Sequence, residues 1–257
     1  MDNLQTRVGS WWQRFVSGFR RLRTPGMPTT THLVVPEKFN RNSPTVTSLM
    51  TPEQSGLWLL ERMRGRVGLE SYATARLLDF GCGVRLTQAL INTGTPIGRY
   101  VGIDVFGEMI DFLRSAVADP RFSFHTLDAY NPMYNPSGRP LSPDTSLPVP
   151  LRYFDVISLF SVITHQYPHD SECLFTMLRR HVAADGHLFF TCFLDSGIET
   201  FEDRSPDRNA GRCFYRPDYL VDLVERCGWH VVSVAAAQAP LIGDSFVLRP
   251  RKGMPGK

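Results

Sequence analysis

From residue 76 onward the chain alternates short apolar runs of strand character with runs of helical period. The strand-like runs are Arg76–Phe80, Tyr100–Asp104, Phe122–His125, Phe154–Phe160, His187–Phe193, His230–Ala235 and Phe246–Leu248. Helical runs fall at Leu86–Asn92, Glu108–Ala118, Ser171–His181 and Pro217–Cys227. A helix between two strands forces a right-handed crossover, so most strands must lie parallel with helices covering both faces of the sheet. The last two strand runs are joined by about ten residues without a helix, as an antiparallel edge hairpin requires. The expectation is a doubly wound α/β domain over residues 51–250, and 257 residues are ample to bury its core.

Upstream, Leu4, Val8, Trp11, Trp12, Phe15, Phe19 and Leu22 recur at steps of three and four, which predicts an amphipathic helix over 1–24. Residues 1–36 hold five arginines and one acid, so the arm carries +4 of a net +3 and the rest of the chain −1. A basic helix with two tryptophans suits a peripheral membrane contact through residues 4–23, a docking arm, or packing on its own domain. An Arg-rich, acid-poor arm also resembles an organellar transit peptide. Residues 25–50, rich in Pro, Thr, Ser and Asn, read as an irregular linker, and residues 251–257 as a disordered tail. Thr51 is a good N-cap for a helix that Pro52 opens. Five cysteines without paired spacing suit a reducing compartment, and no apolar run is long enough to span a bilayer, so a cytoplasmic location is expected. The oligomeric state is not legible.

The chemistry is carried by Leu77-Leu78-Asp79-Phe80-Gly81-Cys82-Gly83-Val84-Arg85-Leu86-Thr87. A buried strand delivers a turn whose glycines let a ligand approach the backbone, and a helix follows directly. Gly102-Ile103-Asp104 then places an acid at the end of the second strand, where a carboxylate can accept from both hydroxyls of a ribose. A dinucleotide fingerprint, G-x-G-x-x-G, would need glycine at position 86, and Leu86 stands there.

Asp79-Phe80-Gly81-Cys82-Gly83 resembles the first motif of the class I S-adenosylmethionine-dependent methyltransferases, written D/E-x-G-x-G-x-G. The resemblance runs from about Ser55 to Leu248. It includes Asp104, Leu127-Asp128-Ala129, Phe154-Asp155-Val156-Ile157 and Asp185-Gly186-His187-Leu188-Phe189 in the expected order. It implies a Rossmann-like, seven-stranded sheet and S-adenosyl-L-methionine as cofactor. Gly81 and Gly83 would then contact the methionine end, with Asp79 near its amino group. Asp104 would hold the ribose, Val105 would lie beside the adenine, and Asp128 and Ala129 would bond the adenine edge. Phe160 and Ser161 would line the cofactor at the end of the fourth strand. The motif's third glycine is Arg85 here; if its side chain crowded the site, the chain would be a non-catalytic binding protein on the same fold.

The acceptor is expected to be a small molecule, because the domain has no basic stripe with interleaved aromatics of the kind that binds nucleic acid. Ser158-Leu159-Phe160-Ser161 stands where amino-methylating enzymes of the family often show N-P-P-Y, which favours oxygen over nitrogen as the acceptor atom. His165, just past the fourth strand, is the candidate base or pocket residue. Tyr167 and His169 are second choices, and no metal site is expected from His165, His169 and Asp170. The long connections 129–153 and 194–216 are the candidates for acceptor pocket and lid.

Overall fold

The computed structural model describes residues 30–41, 44–205, 212–237 and 243–252. The helix expected over 1–24 lies outside these residues, as does the tail beyond 252. The irregular linker expected over 25–50 is corrected in its described part. Glu37–Phe39 forms a 3-10 turn and Pro44–Leu49 a helix, α1. Leu33 and Phe39 are buried in the core, and Phe39 packs its ring against Phe106 and Phe112. Asn92 bonds both the N–H and the carbonyl of Leu33. Tertiary burial holds the segment in place, so it needs no period of its own.

Helix α2 spans Pro52–Val67. Thr51 accepts from the Gln54 N–H while the Gln54 side chain accepts from the Thr51 N–H, a reciprocal cap that satisfies two orphan donors. Gly68, at φ 73°, ends the helix in the left-handed conformation. Thr51→Ala is expected to cost about 1 kcal/mol, read as a lower urea midpoint at unchanged slope. An unmoved midpoint would show that the cap contributes nothing.

The sheet is built from β1 (Arg76–Phe80), β2 (Arg99–Asp104), β3 (Phe122–Thr126), β4 (Phe154–Leu159) and β5 (Val182–Leu194), all parallel, in the order β3-β2-β1-β4-β5. Helices α3 (Arg85–Thr93), α4 (Gly107–Ala116), α5 (Pro168–Arg179) and α6 (Pro217–Arg226) complete the layers. Leu77 and Leu78 on β1 point to opposite sides and join two separate cores. One core packs α2, α3 and α4 against the sheet, the other α5 and α6, so both faces are covered.

Two findings refine the expected seven strands. The final pair is a hairpin of β8 (Trp229–Ala235) and β9 (Asp244–Pro250), but β9 is the strand that pairs with β5 and leaves β8 outside it. The connection 194–216 holds two further short strands, β6 (Phe201–Asp203) and β7 (Cys213–Tyr215), so the sheet has nine strands among the described residues. β7 continues the ladder on the last residues of β5, Phe193 and Leu194. All five cysteines are buried free thiols. No helix among the described residues is long and apolar enough to cross a membrane.

Candidate functional site

After β1 the backbone bends through Gly81-Cys82-Gly83, with φ of 71° at Gly81 and 51° at Gly83. A Cβ on Gly81 would stand 2.5 Å from the Val162 side chain, so both space and conformation require glycine there. The N–H groups of Gly81 and Cys82 donate to the Ile103 carbonyl at 2.8 and 3.1 Å, fastening the bend to the end of β2. The Gly83 N–H thereby reaches Asp104 Oδ2 at 3.0 Å. Arg85 begins α3 with an ordinary right-handed backbone, so conformation does not demand a glycine at that position.

Asp104 is buried and accepts from Gly83, from the Phe106 N–H at 3.1 Å and from Arg41 Nη2 at 2.9 Å. The Arg41 guanidinium lies 4.4 Å from the centre of the Tyr134 ring, which stacks on Phe106 at 5.2 Å. Burial would lower the Arg41 pKa, but Asp104 and Tyr134 more than offset it, so the guanidinium is held above its ordinary value. Asp79 sits one strand away, 2 % exposed, accepting from Tyr100 Oη and Ser158 Oγ at 2.7 Å each. Burial pushes its carboxyl up to about 7, against the pull of those two hydroxyls and with a smaller push from the charge of Asp104.

These groups open on a cavity of about 570 Å³ at the carboxyl ends of the central strands, where open α/β sheets bind ligands. Asp79, Gly81, Gly83, Asp104, Val105, Ala129, Phe160, Ser161 and His165 all line it. Asp128 does not. Its side chain is 61 % exposed, drawn to Arg139 at 3.3 Å and to Asn135 at 3.3 Å, while Leu127 and Ala129 on either side face the cavity. Ser161 holds φ at 56°, rare for a residue with a side chain, and its N–H donates to Thr191 Oγ1 at 2.8 Å. That bend carries the chain from β4 into the 3-10 turn Ile163–His165.

Of the two long connections, the first meets the cavity through Ala129–Tyr134 and Leu141. No described residue of 194–216 does. Among its described residues, Arg204 pairs with Asp195 and Glu202, and Asp203 accepts from Tyr167 Oη at 2.6 Å. Arg41, Tyr134, Val162 and Gln166 line the cavity without having been singled out in the sequence. Arg41 stands in an aperiodic stretch, and only its partner 63 residues away gives it meaning.

Residues 45–234 match the family described as a methyltransferase domain, most of the chain. The chain belongs to the class I S-adenosylmethionine-dependent methyltransferases. The methyltransferase fold is shared with solved structures at low identity. One is a Leishmania major S-adenosylmethionine-dependent methyltransferase (16 % identity, 82 % of this chain and 80 % of that one, TM-score 0.55). A second is the glycopeptide N-methyltransferase MtfA with S-adenosylhomocysteine (13 %, 76 % and 90 %, TM-score 0.54). A third is the Burkholderia thailandensis 1,6-didemethyltoxoflavin-N1-methyltransferase with 1,6-didemethyltoxoflavin and S-adenosylhomocysteine (14 %, 79 % and 79 %, TM-score 0.52).

The residues of this methyltransferase fit the family's cofactor. The glycine bend leaves bare backbone beside the cavity, and two carboxylates face the same space. Asp104 carries about four acceptor sites and spends three on Arg41, Gly83 and Phe106, so a ribose that took both of its hydroxyls there would have to share with Arg41.

Proposed function

We propose that the protein transfers a methyl group from S-adenosylmethionine to a small-molecule acceptor, with oxygen the favoured acceptor atom. The reading rests on one juxtaposition: the Gly81–Gly83 bend and Asp104 share one cavity at the strand ends, inside a chain of this family. The bound cofactor supplies a sulfonium-activated methyl group. The protein's part is alignment. Asp104 receives the ribose, the glycine bend receives the amino-acid end, and Val105 and Ala129 flank the base. Alignment of a bound acceptor behind the methyl can be worth about 7–11 kcal/mol.

The acceptor's place is assigned to Tyr130, Met133, Leu141, His165 and Gln166, lining residues that lie outside the glycine bend and β2. Two of these, Tyr130 and Met133, are about half exposed apolar side chains, which suits an acceptor with a flat or apolar body. His165 lines the same space and is assigned to take the hydroxyl proton as the acceptor attacks, moving it onto an imidazole nitrogen. Asp128, outside the cavity wall, is assigned no direct bond to the base.

Two measurements test the reading. Calorimetric titration should show binding of S-adenosylhomocysteine and not of NAD; binding of neither would favour a non-catalytic protein. Acceptor screening with methyl-labelled cofactor then identifies the product. With an acceptor in hand, His165→Gln is expected to lower kcat about 10²-fold, with S-adenosylhomocysteine affinity within twofold. The loss should shrink for acceptors whose hydroxyl is already ionised. An equal loss for ionised and neutral acceptors would remove His165 from proton transfer.

A further inference from the structure

Two arginines line the cavity, and they differ in one respect. Arg41 is spent on Asp104 and Tyr134. Arg85 is half-buried and has no hydrogen-bond, ion-pair or ring partner among the described residues. Desolvation of a guanidinium without a counter-charge is costly, and a side chain that long at a helix start has an easy route to solvent. It stays at the cavity wall instead.

The charges around the cavity limit what Arg85 can be for. Asp79 and Asp104 are the carboxylates on the strand ends, and Glu37 lines the cavity from the 3-10 turn. None of them is paired with Arg85. Arg85 follows the glycine bend by two residues and opens α3, whereas Asp104 ends β2 and accepts from the Gly83 N–H at the bend itself. A nucleoside with its ribose on Asp104 and its base against Val105 and Ala129 is taken to lay its 5′ substituent along the bend, which Arg85 follows in the chain and with which it shares the cavity wall.

We infer that Arg85 is a specificity-determining residue that binds the carboxylate of the cofactor's amino-acid end, so that the arginine in place of the motif's third glycine creates an anion clamp. This rests on the proposed cofactor reading. Burial pushes the guanidinium down to about 10, which leaves it cationic at neutral pH. The clamp also assigns the two ends of the zwitterion: the ammonium faces the acidic side of the bend at Asp79, the carboxylate the basic side at Arg85. A planar guanidinium offers two parallel donors to a carboxylate, which no backbone N–H pair there could match in charge.

The test uses two ligands that share nucleoside and sulfur. S-adenosylhomocysteine carries the amino-acid end; 5′-methylthioadenosine does not. In calorimetric titrations of the full chain, Arg85→Gly, which restores the family's residue, should weaken S-adenosylhomocysteine about 30-fold and leave 5′-methylthioadenosine within twofold. Arg85→Met, which keeps the bulk and the helix start, should do the same, and Arg85→Lys should recover part of the loss. Thermal melts of each variant check that the fold is retained. If Arg85→Gly binds S-adenosylhomocysteine as tightly as the parent or more tightly, the side chain is an obstruction and the clamp is overturned. If both ligands weaken equally, Arg85 supports the bend and not the carboxylate, which also overturns it. If the parent binds neither ligand, the cofactor reading itself fails, and the clamp with it.

Discussion

Replacing Asp104 by alanine should weaken binding of S-adenosylhomocysteine about 10³-fold. Two hydroxyl hydrogen bonds to a buried carboxylate are worth about 1.5–3 kcal/mol each, and every 1.4 kcal/mol is a factor of ten. The side chain also organises the pocket before any ligand arrives. It ties the Gly83 and Phe106 N–H groups and the Arg41 guanidinium to one point, so its loss leaves a cation without its counter-charge and two backbone donors without an acceptor. The contrast that assigns the loss is Arg41→Ala. That change removes one of the three donors and frees an acceptor site for the ribose, so affinity should move by no more than a few-fold. Calorimetry on both variants, with melting curves for each, checks this. Should Arg41→Ala prove as damaging as Asp104→Ala, the ion pair itself would be the ligand-binding element and the ribose assignment would fall.

Asp79→Asn should change how stability depends on pH more than any substitution on the surface. In the fold the Asp79 carboxyl is raised from an ordinary 3.8 to about 7, chiefly by burial. Between those values the folded protein holds a proton that the unfolded chain has released, so stability falls as pH rises through this window. Above about pH 7 the full cost is present, on the order of 4 kcal/mol at 1.36 kcal/mol per pKa unit. Below about pH 4 both states are protonated and the cost vanishes. Asparagine keeps an acceptor for one hydroxyl and a donor for the other, and it cannot ionise. The variant's stability relative to the parent should therefore rise by about 3 kcal/mol between pH 4.5 and pH 8 in urea unfolding. The other carboxylates titrate in both proteins and cancel in the difference. A difference flat with pH would mean that Asp79 ionises as easily inside the fold as outside it. The same burial cost explains why a cation brought by the cofactor would be welcome beside this carboxylate.

Much of the architecture could be read locally. The strand β1, its glycine bend and the helix after it declare themselves within eleven consecutive residues, because chain direction, bend conformation and helix start are set by near neighbours. Asp104 was legible for a related reason: a strand of known length beside β1 must end next to the bend. The residues that escaped depend on how the irregular connections fold back on themselves and on the sheet. Asp128 stood in a plausible position, yet Arg139 and Asn135 draw its carboxylate out of the cavity. The connection 194–216 had the length and charge of a lid, but its short strands extend the β5 ladder, and among its described residues Arg204 pairs with Asp195 and Glu202.

What the sequence by itself determined was the order of strands and helices, the bend that bares backbone to a ligand, and the acid beside it. Those follow from period, turn chemistry and chirality, which act over a few residues at a time. Only the tertiary structure decided that Arg41 closes on Asp104 from a stretch that looked like a spacer, that β9 comes between β5 and β8, and that Arg85 stands at the cavity wall without a partner among the described residues. Such facts are set by which surfaces remain uncovered when the elements pack, and no local pattern carries that information.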